Sequence, residues 1–153
     1  MNRRKTEHTT FTIEREFDFA PSKVFAAWAS AEAKAQWFVG PRDKWKLVKR
    51  EVDFRVGGRE KLVGTFDGGS TTTFDGLYYD IVTNERIVYS YDMRQNDTRI
   101  SASLATVEFR PAQRGTTLVF TEQAVFLDDF NDAGGRERGT GVLLDQLAAS
   151  LHR

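Results

Sequence analysis

The sequence predicts an α+β fold: one antiparallel sheet of about seven strands, two short helices near the start, and a long C-terminal helix packed on the sheet. Three observations carry this prediction. Apolar and polar residues alternate from Thr10 to Phe19 and through a series of later segments, which is the period of a half-buried strand. The later segments are separated by turns too short for parallel crossovers, so successive strands are antiparallel neighbours. The tail then changes period, placing Val142, Leu143, Leu144, Leu147, Ala148 and Leu151 on one helical face.

Each element follows in order. Phe11, Ile13, Phe17 and Phe19 share one face of the first strand, with Thr12, Glu14, Glu16 and Asp18 on the other; Arg15 falls on the apolar face. Pro21 suits a first helical position, where the missing N–H is one the helix start leaves unpaired anyway, and Val24, Phe25 and Trp28 continue at helical spacing to Ser30. Ser30 caps a second short helix whose Ala33, Trp37 and Phe38 look inward, and Gly40-Pro41 stops it. Extended segments follow from Trp45 to Val56, Arg59 to Phe66, Thr71 to Val82, Arg86 to Met93, Arg99 to Arg110 and Thr116 to Phe126. Their separators are turn-formers such as Asp67-Gly68-Gly69-Ser70, Thr83-Asn84-Glu85, Gln95-Asn96-Asp97 and Gln113-Arg114-Gly115. Asn96-Asp97-Thr98 reads as a turn rather than a glycosylation site. The last helix runs from Arg136 to Leu151. Gly134, Gly135, Gly139 and Gly141 each weaken it by up to about 1 kcal/mol relative to alanine, which implies a close approach or an open space beside it.

Composition narrows the function. The 153 residues make one domain, 1–153, with a single core. Lys+Arg and Asp+Glu both number 22, so no net field favours nucleic acid. Without cysteine there are no disulfides, thiolate nucleophiles or cysteine-bound metals. No signal-peptide pattern or membrane-spanning run is visible, so the expected location is the cytoplasm, with no membrane partner. His8 and His152 lie near opposite termini, so a triad or a histidine metal site would need both chain ends to be ordered, and the glycines from Gly134 to Gly141 lack the lysine of a phosphate loop. No metal and no cofactor is expected. The acidic run from Asp128 to Asp132 reads as a loop capping the last helix rather than a calcium loop.

Specific residues carry a resemblance. The stretch from Phe17 through Pro21 to Trp28, then Gln36-Trp37-Phe38, Val52 to Gly58, Gly76 to Ile81, Glu85 to Tyr91, Thr121-Glu122-Gln123 and Gly139 to Leu147 together resemble the START-like, helix-grip (SRPBCC) superfamily. The nearest branch is similar to the homologues of the C-terminal domain of the heat-shock-protein-90 ATPase activator, also called polyketide cyclase-like. The resemblance covers about Phe11 to Leu151. It implies a curved sheet gripping the last helix, with an apolar cavity between them that takes lipids, sterols, polyketides or hormones; a minority of members catalyse cyclisation, dehydration or hydrolysis. One departure stands out. Many relatives carry Gly-Trp where this chain has Gly139-Thr140, which implies more room under the helix.

Two charged residues fall on the inner face by alternation: Arg15 between Ile13 and Phe17, and Glu122 following Leu118 and Phe120. The sheet order implied by the resemblance makes their strands neighbours, so an Arg15–Glu122 pair is expected, structural sooner than catalytic. Trp28, Trp37, Tyr89, Tyr91 and Phe120 are candidates for an aromatic lining, with Gly141 leaving space opposite; for any single aromatic, core packing is the simpler role. The leading reading is a binding protein for a small apolar or aromatic molecule. The alternatives are a cyclase or hydrolase using Glu122 or a tyrosine as acid or base, and a module regulating a chaperone ATPase. The last reading is lowered because the full-length activator carries an N-terminal domain for which this length leaves no room. Residues Arg15, Trp28, Trp37, Tyr89, Tyr91, Phe120, Glu122 and Gly141 form the expected site.

Overall fold

The computed structural model describes residues 4–130 and 133–153. Seven strands form one curved antiparallel sheet: β1 (Thr6–Phe17), β2 (Trp45–Val52), β3 (Arg59–Phe66), β4 (Thr71–Val82), β5 (Arg86–Gln95), β6 (Thr98–Ala112) and β7 (Gly115–Leu127). Their order across the sheet is β1-β7-β6-β5-β4-β3-β2. The first two strands are therefore the two edges, and the chain crosses between them through α1 (Pro21–Ala26) and α2 (Ala31–Lys34). Five successive hairpins then bring it back to β7, beside β1. The 19-residue α3 (Ala133–Leu151) buries Leu144, Leu147 and Leu151 in the same core as the sheet residues Phe109, Leu118 and Phe120. Each such side chain contributes about 1.5–3 kcal/mol on burial.

The elements match the sequence reading in kind, and their ends differ for local reasons. The first strand begins at Thr6 rather than Thr10, because the β1–β7 ladder runs the full length from Thr6↔Leu127 to Phe17↔Thr116 and extends strand geometry into residues with no apolar alternation. It stops at Phe17, where the chain passes over Gly115. A Cβ on Gly115, whose φ is +155°, would stand 2.4 Å from the Phe17 carbonyl oxygen, so only glycine permits the approach. The strand expected to reach Val56 ends at Val52, where the Asp53–Gly58 turn begins. Asn84 and Asn96 take positive φ in their hairpins, and the Asn96 side chain accepts from the Thr71 N–H at 3.0 Å.

The two short helices are held by side chains. Ser30 Oγ accepts from the Ala33 N–H at 3.1 Å, capping α2 as its position suggested. Trp37 Nε1 donates to the Ala27 carbonyl at 2.8 Å, tying the turn after α2 back to the end of α1. Gln146 Nε2 on α3 donates to the Trp37 carbonyl at 2.7 Å, so the helix pair and α3 form one unit over the sheet. Of the acidic run, Asp128 binds Arg4, while Asn131 and Asp132 lie outside the described residues. No described helix is long and apolar enough to cross a membrane.

Candidate functional site

A pocket of about 730 Å³ lies between the sheet, the α1–α2 segment and α3 from Gly135 to Gln146. Strand alternation builds one wall. Phe74 on β4, Tyr89 and Tyr91 on β5, and Phe120 and Glu122 on β7 are every second residue of their strands and point inward. Trp28 and Trp37 close one end, ring centroids 4.7 Å apart and edge-on. Phe74 stacks on Tyr91 at 4.6 Å. From α3, Arg136, Gly139, Thr140 and Leu143 complete the lining.

Two buried polar clusters adjoin this apolar surface, the first lining it through Glu122, Tyr91 and Arg136, the second reaching it through Lys34. In the first, Glu122 is fully buried, and its Oε2 accepts from Tyr91 Oη at 2.7 Å, Ser103 Oγ at 2.9 Å and Arg136 Nη1 at 3.3 Å. Arg136 Nη2 also donates to Ser101 Oγ at 2.8 Å, and the guanidinium lies over the rings of Tyr91 and Phe126. The other carboxylate oxygen, Oε1, is buried without a hydrogen-bond partner among the described residues, as is Trp28 Nε1. In the second cluster, Lys34 Nζ on α2 stands 3.1 Å from both oxygens of Glu60 on β3, and Tyr78 Oη donates to Glu60 Oε1. The ammonium also faces the ring of Phe38 at 4.4 Å.

Burial sets the protonation of these groups. It pushes the Tyr91 hydroxyl well above its ordinary range, and the negative Glu122 beside it pushes further in the same direction. Tyr89 is raised for the same leading reason, and Tyr78 by burial and then by Glu60. Burial lowers the Lys34 ammonium, outweighing the pull of Glu60. The tyrosines therefore remain hydroxyl donors at neutral pH. This suits them to fixing a carboxylate or a ligand, and unsuits them to serve as bases.

The structure brings six of the eight expected residues to the pocket lining: Trp28, Trp37, Tyr89, Tyr91, Phe120 and Glu122. Arg15 and Gly141 are elsewhere, and the expected Arg15–Glu122 pair is corrected. The ladder sets Arg15 opposite Leu118 and Glu122 opposite Phe11, four residues apart on β7. At about 3.3 Å per residue that separation is roughly 13 Å, beyond any ion pair. Arg15 Nε instead stands 3.4 Å from Asp145 Oδ1 at the rim of α3. Gly141 faces this same arginine, since a Cβ there would meet Arg15 Nη2 at 3.3 Å. On α3 it is at Gly139 that space is open, since a Cβ there would meet nothing within 4 Å.

Sequence reading missed Lys34, Glu60 and Arg136. Each has a signal. Arg136 shares a helical face with Thr140, Leu143, Leu147 and Leu151; Lys34 precedes the inward Trp37 and Phe38 by three and four residues; Glu60 alternates with Leu62 and Gly64.

Comparison with known proteins is decided by a match over nearly the whole chain: the family model described as activator of Hsp90 ATPase homolog 1-like protein covers residues 18–152. The chain belongs to this family. Solved structures similar to this activator-homologue chain include a Rhizobium leguminosarum protein, 44% identical over 99% of both chains with a TM-score of 0.94. A Rhizobium loti protein is 41% identical over 95% of this chain and 99% of its own, TM-score 0.88. A Chromobacterium violaceum protein is 26% identical over 94% and 97%, TM-score 0.76. No curated protein matches the chain. Membership of the activator-homologue family agrees with the sheet-and-helix architecture and leaves the pocket chemistry to the residues themselves.

Proposed function

We propose that this protein binds a small apolar or aromatic molecule in the pocket between the sheet and α3. The observation that supports this most directly is a volume of about 730 Å³ walled by aromatic rings and containing a few fixed polar groups. Pockets of this size and lining hold ligands by dispersion and water release, with the polar groups setting orientation. The buried tyrosines, kept protonated, favour this role over general-base catalysis by the same residues. Binding is tested by titrating the protein with an environment-sensitive apolar dye and by native mass spectrometry of material that copurifies. Saturable dye binding at one site per chain supports the reading; dye fluorescence unchanged by the protein rejects it.

The family description favours a second reading, in which the chain regulates a chaperone ATPase. The two readings separate by measuring Hsp90 ATPase rates with the protein and with a pocket-filled variant: stimulation by both would support the chaperone reading, and stimulation by neither would remove it.

A further inference from the structure

We infer that the molecule bound in this pocket is neutral and carries a hydroxyl, which donates its hydrogen bond to Oε1 of Glu122. The inference rests on the binding reading above and adds the ligand's chemistry. Glu122 is fully buried and lines the pocket. Its two oxygens differ sharply. Oε2 is turned toward three donors on β5, β6 and α3, while Oε1 has no partner among the described residues. Tyr91, Ser103 and Arg136 fix the orientation of the carboxylate, and Oε1, almost inaccessible in the pocket wall, is the oxygen that still lacks a donor. A buried carboxylate oxygen without a donor is costly, and a donor supplied by a ligand recovers that cost on binding.

Charge selects against anions. Among the described residues, the cations lining the pocket are Lys34 and Arg136, and each is already bonded to a carboxylate, Glu60 and Glu122 respectively. An incoming carboxylate or phosphate would face Glu122 with no uncommitted cation to meet it. A hydroxyl meets the requirement: it donates to Oε1 and brings no charge into an apolar space. A hydroxylated aromatic or alicyclic molecule fits both the ring-lined walls and this single acceptor.

Three matched probes test the inference: 2-naphthol, 2-methoxynaphthalene, which keeps the oxygen and deletes the donor, and 2-naphthoate, which replaces it with an anion. Affinities are read by fluorescence or calorimetry for the wild type and for Glu122→Gln. In the wild type, 2-naphthol should bind roughly tenfold or more tightly than 2-methoxynaphthalene, the range of a hydrogen bond to a charged group, and 2-naphthoate should bind weakest. In Glu122→Gln the three donors hold the amide oxygen in the place of Oε2, which puts the amide NH₂ in the place of Oε1, where it no longer accepts. The two neutral probes should then bind within about twofold of one another. Equal wild-type affinity for the two neutral probes would show that the ligand hydroxyl does not donate to Oε1 and would overturn the inference. Tighter binding of 2-naphthoate, or a hydroxyl preference that persists in Glu122→Gln, would overturn it as well. Should the variant not fold, the wild-type ranking alone decides. Absence of binding by all three probes would instead count against the binding reading itself.

Discussion

Arg136 in the first turns of α3 reaches Glu122 on β7, Nη1 to Oε2 at 3.3 Å, and so fastens the glycine-rich end of the helix to the floor of the pocket. The same nitrogen stands 3.1 Å from Tyr91 Oη, and Nη2 extends the contact to Ser101 on β6. One side chain thus joins three strands to the helix. The Coulombic attraction acts where water is excluded at the carboxylate, so its loss is felt more than that of a rim contact.

Arg136→Ala should therefore destabilise the fold by about 3–5 kcal/mol, since it leaves the buried Glu122 side chain with only hydroxyl partners. Urea denaturation measures the loss. A double-mutant cycle with Glu122→Gln should show coupling for Arg136, and none for Arg15, whose exposed bond to Asp145 is worth about 1 kcal/mol or less.

The Lys34–Glu60–Tyr78 cluster predicts a second asymmetry. Glu60→Leu strands a buried ammonium and a phenol hydroxyl, and should cost about 3–5 kcal/mol. Lys34→Met combined with Glu60→Leu should recover much of that loss, because an apolar pair of similar volume has no desolvation to overcome. A double variant as unstable as Glu60→Leu alone would assign the loss to packing.

Stability should fall at high pH. The hydroxyls of Tyr78, Tyr89 and Tyr91 are all raised in the folded state, chiefly by burial, above an ordinary value of 10.0. Their contribution is fully present below that value. It is lost as pH rises beyond it, because the unfolded chain ionises first. With three groups the limiting slope is about 4 kcal/mol per pH unit. Lys34, lowered by burial, acts oppositely as pH approaches its ordinary 10.5, but it is one group against three. Urea midpoints measured at increasing pH, with phenolate absorbance followed in parallel, check this: absorbance from these three should appear with unfolding and not before it.

Filling the pocket should separate Thr140 from Gly141. Thr140 lines the pocket, so Thr140→Trp should reduce uptake of an apolar dye several-fold, at a cost of about 1–3 kcal/mol if the ring crowds its neighbours. Gly141→Leu should leave uptake unchanged, because its new side chain meets Arg15, which lies outside the pocket lining.

Gly139→Ala should stabilise α3 by about 0.5–1 kcal/mol, since an added Cβ meets nothing within 4 Å and the helix gains the better residue. Thermal unfolding reads the gain. A loss instead would mean that the backbone at this position needs glycine's freedom.

The sequence by itself determined the alternating faces, the hairpin turns, the capping serine at Ser30 and the apolar stripe of α3, because each depends on neighbours within a few residues and on the fixed periods of strand and helix. It also determined that Glu122 points inward, by the same alternation that places Leu118 and Phe120. Only the tertiary structure decided what Glu122 meets. Sheet order alone allowed Arg15 as its partner, but the register of the β1–β7 ladder places the two four residues apart, and the guanidinium that arrives comes from Arg136, 14 residues further along the chain. Lys34 and Glu60 likewise meet across 26 residues. A side chain's period fixes which face it occupies; register and helix placement fix its position along that face, and hydrogen bonds are short enough that position decides the partner.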